Sequence, residues 1–556
     1  MTTCRAARST LRWRRRALAA SATASVLATA LLVPTAAPAT AATSPVGTGT
    51  TWGDSLFDDV SRSALSGRYD DSRDPGSLST TTSVIGARDA WKSQDSKGRA
   101  ITGQGVTVAV LDSGVAAVPG LTRVVQGPDL SIEANSPTTL STDSYGHGTH
   151  MAGIIGASDA QTLSNGTPVI RSGDQLGVAP GAGLLALKLA NTDGSTDVSQ
   201  VIAGIDWVVE HRNDNGMNVR VINLSYGTDS TQDYRTDPLA AAVERAWQAG
   251  IVVVVSGGNT GKNAGTLTDP AVDPYVIAVG ASSPDRSRIG RLVGSVANGQ
   301  LPWGNPSTAD FSARGTAARH VDVVAPGTSV TSLRAPGSNV DTTHPEGRVA
   351  NDASNRLFRG SGTSQAAAVV SGTAALLLQA NPGLTPDGLK AALMATADRV
   401  PGASAVDAGA GQIDVTAALQ VVRKAAAGDR SAKTTVSSKQ TWPVSSGLGS
   451  LERARGSAHL VDPASGRVLS GEVDVRGSAW SGQARKDAAS RGATWSGGSY
   501  LGTPWTGSGW TTSGWQRSRW SDEVWQRSRW SGAGWEASQW SRSRWSSDNY
   551  SASRWS

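Results

Sequence analysis

The chain has 556 residues, too many for one ordinary domain, and its 64 glycines and 24 prolines point to a loop-rich fold with irregular segments. A formal charge of +6 would ordinarily suggest a nucleic-acid or anionic-surface partner. That inference is excluded for the body of the chain: six of the 51 basic residues (Arg5, Arg8, Arg12, Arg14, Arg15 and Arg16) and none of the 45 acidic ones precede residue 42, so the remainder is formally neutral.

Residues 1–41 read as an export signal. An arginine-rich start leads into an apolar, alanine-rich stretch from Ala17 to Val33 and then into small residues, with cleavage expected after Ala41. Cys4, the one cysteine, leaves with the signal, so the exported protein has no disulfide and depends on packing. The expected location is extracellular or at the cell envelope, as a monomer. Residues 42–82, rich in Ser, Thr, Asp and Gly, read as a flexible leader or short pro-segment.

From residue 83 the text alternates short apolar runs with helical patterns. The runs are VTVAVLD (106–112), LLALKLA (184–190), VRVINLS (219–225), IVVVVSGG (251–258), YVIAVGA (275–281) and VDVVAPG (321–327). Continuous apolar strands are buried on both faces, as in a parallel sheet covered by helices. Helices are predicted over 197–211, 237–249, 364–380 and 385–397, giving an α/β fold whose working residues gather where strands end and helices begin. The pattern changes after residue 424. A linker and short β-rich segment are predicted over 425–477, and a low-complexity tail over 478–556.

Three strings carry candidate chemistry. Asp112 closes the run VAVLDSGV, His147 opens GHGTHMAG, and Ser364 opens the alanine-rich helix of SGTSQAAAVVSG. Singly, each has an ordinary explanation: a turn aspartate, a metal ligand paired with His150, a helix N-cap. The zinc reading lacks an acidic partner in zinc-protease spacing, so no metal site is assigned. Jointly, all three stand at strand-to-helix junctions of one sheet, each inside its own glycine-rich string.

Together with SGGN (256–259), these strings resemble those of the subtilisin-like serine proteases over about residues 83–424, in the chain order Asp, His, Ser. The resemblance implies a three-layer fold with a mostly parallel central sheet flanked by helices, and a secreted endopeptidase acting on polypeptides. It implies Asp112, His147 and Ser364 as the catalytic triad and Asn259 as an oxyanion donor. It also implies Ser225, Tyr226 and Gly227, with the loop around Gly194, as the edges that hold an extended peptide, and Ser256, Gly257 and Gly258 as a pocket wall. No cofactor is expected in catalysis. Structural calcium is permitted by the family, but no string here names its ligands. Gln365 and Ala368 stand where the family usually has Met and Pro, and Tyr145 replaces a small polar residue, which places rate and pocket shape in question.

The rival class is an envelope-binding or adhesion protein with a weakly active or inactive peptidase-like domain. The feature behind it is a tail register of aromatic residues every five positions, including Trp480, Trp495, Tyr500, Trp505 and Trp510. A period of five gives no single face to a helix or a strand. Three readings of the tail stay open: a solvated accessory with no dedicated ligand, a self-associating segment, and an accessory that attaches to cell-wall polysaccharide or another envelope surface.

Overall fold

The computed structural model describes residues 69–505, apart from 73, 135, 137, 140, 172, 262–266, 285–303 and 462–466, together with 516–517, 529–530 and 554–555. The predicted export signal and most of the leader and of the tail beyond 505 lie outside the described residues.

The apolar runs become the strands of an eight-stranded sheet: β1 (Thr107–Asp112), β2 (Val124–Asp129), β3 (Gly183–Lys188), β4 (Val219–Leu224), β5 (Val252–Ser256), β6 (Ile277–Ser283), β7 (Ser307–Thr308) and β8 (Val323–Pro326). Their order is β7-β6-β5-β4-β1-β3-β2, with β8 also pairing β6, and only β7 is antiparallel. All residues of β1, β5, β6 and β8 are buried, as expected of strands covered on both faces. β2 was not legible, because VVQGPD, at the sheet edge, carries Gln, Gly and Pro and buries only Asp129 fully. After β1 the chain places β2 at the far edge and β3 between it and β1, then crosses to add β4, β5 and β6 on the other side of β1. Such a reversal opens a crevice at the strands' carboxyl ends.

Helices α1 (Leu78–Val84), α2 (Ala87–Lys92), α3 (His147–Gly156), α4 (Val198–His211), α5 (Pro238–Gln248), α6 (Thr363–Ala380), α7 (Pro386–Thr396) and α8 (Val415–Ala426) cover the sheet. Their starts follow from local chemistry. Asp197 caps α4 in a capping box with Gln200; Asp237 accepts from Leu239 and Ala240 ahead of Pro238 at the first turn of α5; Thr385 and Asp414 cap α7 and α8. α6 is buried almost throughout and packs on β4, β5, β6 and β8 and against α3.

Two expected boundaries do not coincide with breaks in the structure. The described residues of 69–82, expected as leader, pack on the domain, because Asp74 is a buried anchor: it accepts from Arg359 at 2.7 and 2.9 Å, from Tyr69 Oη at 2.8 Å and from Thr331 Oγ1 at 2.9 Å. At the other end, the described residues of 445–505 pack on the domain, across the boundary expected at 478 between the short β-rich segment and the low-complexity tail. They contain α9 (Leu451–Arg455) and α10 (Gly482–Ser490) and a short meander of strands Trp495–Ser496, Ser499–Tyr500 and Thr503–Pro504.

This meander explains the first part of the five-residue register. Each step of five advances the chain by one strand and one turn, so Trp495 lies directly opposite Tyr500, and Trp505 follows the third strand. The rings meet with centroids 5.1, 5.7 and 5.9 Å apart, and the Arg476 guanidinium lies 5.0 Å from the Trp505 ring centre. Trp495 Nε1 donates to Ala203 O, and Tyr500 Oη to Asp206, both on α4. Here the indoles are inward anchors rather than surface ligands.

Beside α5 lies a buried group of carboxyls, Asp237, Glu244, Asp269 and Asp273. Burial raises all four; Asp273 reaches about 7 and Glu244 about 8, and the Asp237–Asp269 pair also repels its second charge. The folded state therefore holds protons that an unfolded chain would release above about pH 4, and stability falls as pH rises through 7 and 8. The melting temperature should drop between pH 6 and 9, and Glu244→Gln should flatten that drop. A variant as pH-sensitive as the wild type would count against this assignment.

Candidate active site

The predicted residues converge on the crevice at the strands' carboxyl ends. Asp112 ends β1, residues 189–195 follow β3, Ser225 follows β4, and Ser256–Asn259 closes β5. His147 is the first residue of α3, with its Nδ1 2.9 Å from both Asp112 oxygens, and both side chains are fully buried. Asp112 Oδ1 also accepts from Ser113 N at 2.7 Å. A carboxylate so held fixes the imidazole's orientation and favours its Nδ1–H tautomer.

Asp143 supplies a supporting layer that the motif reading missed. It accepts from Gly146 N at 2.6 Å, from Thr149 N and Oγ1 at 2.7 and 2.6 Å, and from Ser113 Oγ at 2.8 Å. One buried carboxylate thus caps the His147 helix and holds the serine that touches Asp112; burial raises its pKa against those hydrogen bonds. The signal was present: an aspartate just ahead of a helix start.

Asn259 is oriented without ambiguity. Its Oδ1 accepts from the backbone N–H and the Oγ1 of Thr363, both at 2.9 Å, so its donor side faces away from Thr363. A Cβ built on Gly362 would stand 3.2 Å from Asn259 Nδ2 and 3.7 Å from Ser364 N, so both nitrogens border the same space. Ser364 is the second residue of α6, where backbone N–H groups have no helical acceptor. Its Oγ makes no hydrogen bond among the described residues. Gln365 and Ala368 are both buried, and Gln365 Oε1 folds back over Gly362.

Of the predicted peptide edges, Tyr226–Gly227 is a short strand whose tyrosine is fully buried. Ser225 is turned inward: its Oγ lies 3.4 Å from Ser364 O and accepts from Asn223. It therefore steadies the turn at Ser364 rather than presenting its side chain. Gly194 has φ +78°, and a Cβ there would meet the Tyr145 ring at 2.5 Å, so this glycine is required by close approach as well as by the turn. Tyr145 lies over that loop, its ring centre 6.4 Å from that of His147. Thr268, not singled out from the sequence, sits beneath both predicted walls: Cβ atoms on Gly227 or Gly258 would approach it to 2.5 and 2.9 Å.

His150 does not share a site with His147; its Nε2 lies 3.3 Å from Phe358 O, and burial, with the neighbouring His147, lowers its pKa to about 3. Among the described residues, no three His, Cys, Asp or Glu side chains are grouped to hold a metal ion, and no helix is long and apolar enough to cross a membrane.

A mostly parallel α/β sheet with Asp, His and Ser strings at its carboxyl-end crevice defines a hydrolase of the subtilisin-like class. The subtilase family model matches residues 103–439, and the chain belongs to that family: it is a serine endopeptidase whose substrates are polypeptides. It is similar to serine protease AprX of Bacillus subtilis (strain 168), 34% identical over 345 residues, covering 60% of this chain and 70% of that one. It is similar also to subtilisin DY of Bacillus licheniformis, 33% identical over 320 residues, covering 57% and 92%. A solved cold-adapted subtilisin-like serine proteinase matches 56% of this chain and 88% of its own at 29% identity, with a TM-score of 0.39.

Proposed function

We propose that Ser364 is the nucleophile, His147 its general base and then general acid, and Asp112 the group that orients His147 and stabilises its imidazolium. The observation that carries this reading is the symmetric 2.9 Å contact of His147 Nδ1 with Asp112, buried at the end of β1. With Nδ1–H donated to Asp112, Nε2 is the basic nitrogen, suited to take the Ser364 proton as Oγ attacks a peptide carbonyl. The oxyanion that develops receives hydrogen bonds from the Asn259 amide and the Ser364 backbone N–H, and protonation of the leaving amine by His147 completes acylation. Water then attacks the ester by the same route in reverse. The extended peptide lies between the 225–227 strand and the loop around Gly194, held by backbone hydrogen bonds, with Ser256–Gly258 and Thr268 shaping the pocket before the cut.

Replacing Asn259 with alanine tests the oxyanion assignment: kcat should fall about 10²- to 10³-fold with little change in KM, because the bond forms chiefly in the transition state. An unchanged kcat would remove Asn259 from the mechanism. No catalytic step calls for a metal or cofactor, and any bound calcium would act through stability.

Export by residues 1–41 belongs to the same reading, supported by their composition and tested by N-terminal sequencing of the protein from culture medium. The pentads beyond 505 attach the enzyme to an anionic envelope. What supports this is composition: residues 501–556 carry seven arginines against two Asp and two Glu, with tryptophans at five-residue spacing.

A further inference from the structure

The family match ends at residue 439, yet the next ordered segment reaches back to both edges of the proposed peptide groove. α9, only five residues long, lies between them. On one side Arg455 Nε donates to Asp197 Oδ2 at 2.7 Å; Asp197 caps α4 two residues after the Asp193–Ser195 loop. Arg455 is fully buried, and its remaining donors go to Glu452, to Gly471 O at 2.7 Å and to Val473 O, so the head group cannot swing. On the other side Thr228 Oγ1, one residue beyond Gly227, donates to Ala454 O at 2.8 Å, and Ser457 clasps Asp229 through N and Oγ at 2.9 and 2.6 Å.

Adjacent residues 454 and 455 thus grip the two edges by separate hydrogen bonds, one of them a buried ion pair. Peptide recognition between two edges depends on their separation, and a displacement of about 1 Å is enough to cost much of the binding. We propose that α9 is a brace that fixes the spacing of the two peptide-binding edges, with Arg455 as its positioning residue. The brace does not touch substrate and acts only on the stretches that hold residues well before the cut. It rests on the reading of 225–227 and 193–195 as those edges.

The test uses the full chain with Arg455→Met, Arg455→Lys and Thr228→Val, each at a site concentration set by fluorophosphonate titration. Two substrates share one residue at the cut, a tetrapeptide anilide and a single-residue ester. Arg455→Met should raise KM for the tetrapeptide roughly tenfold while the ester's kcat and KM stay within about twofold. Lysine, which keeps the charge, should recover part of the loss, and Thr228→Val should shift the tetrapeptide KM in the same direction. If tetrapeptide and ester respond alike, or only the melting temperature falls, α9 is merely structural and the proposal is overturned. Should Arg455→Met give no titratable protein, the same comparison in Arg455→Lys and Thr228→Val decides. A wild type with no KM advantage for the tetrapeptide would defeat the edge assignment itself, and the brace with it.

Discussion

Replacing Ser364 with alanine is expected to lower kcat on peptides by about 10⁶-fold, the size of loss that removing the nucleophile causes in subtilisin itself, with KM little altered. The expectation follows from how the parts depend on one another. Without Oγ there is no acyl intermediate, and the His147–Asp112 pair, however well held, has no proton to move. Asp112→Asn should cost less, about 10⁴-fold, because an amide keeps the geometry but presents a donor to Nδ1 and so selects the wrong tautomer. Asp143→Asn is milder again. It loosens the cap on α3 and the Ser113 contact without touching a reacting group. Turnover per mole of folded protein, with folding checked by circular dichroism, separates these three; a Ser364→Ala variant within tenfold of the wild type would refute the assignment.

The second large effect concerns where the chain can be cut back. Truncation after residue 505 should leave peptide hydrolysis and melting temperature close to those of the full chain while lowering retention on cell walls. Truncation after 478 should not be tolerated so well. It removes Arg485, which donates to the fully buried Asp206 at 2.7 and 3.0 Å, together with Tyr500 Oη at 2.8 Å, leaving Arg245 as the remaining cation on that carboxylate. Glu210 loses its bonds from Thr494 N and Trp495 N, and the Trp495–Tyr500–Trp505 cluster is stripped from α4. Breaking a buried ion-pair network typically costs about 3–5 kcal/mol, so a melting temperature lower by on the order of 10 °C is expected. Equal melting temperatures for the two truncations would mean that the 479–505 segment stabilises nothing. Equal wall retention by the full chain and the form ending at 505 would remove the attachment role.

The contrast between these cuts reflects what the sequence made legible. Strands β1, β3, β4, β5, β6 and β8 were readable because each is dominated by a dense apolar run, and α4, α5 and α7 because Asp197, Asp237 and Thr385 announce them. The three strings were readable because each is glycine-rich and distinctive, although Asp112 alone closes an apolar run: His147 follows a long loop, and Ser364 follows the strand Leu357–Ser361, which lies outside the central sheet. The two ends of the folded unit were not. They are fastened by ion pairs between residues far apart in the chain, Asp74 with Arg359, Asp197 with Arg455 and Asp206 with Arg485, and such pairs leave no periodic trace in a polar segment. The pentad register was visible, but its meaning over 495–505 depends on turns that place successive aromatics opposite one another, which periodicity along one element cannot express.

The most direct test of the central claim is to label the protein with a fluorophosphonate and map the adduct by peptide mass spectrometry. The adduct should fall on Ser364, form at one per chain, and be abolished by His147→Ala, which leaves the serine in place but removes its base. An adduct on another serine, no adduct at all, or labelling undiminished in His147→Ala would contradict the account.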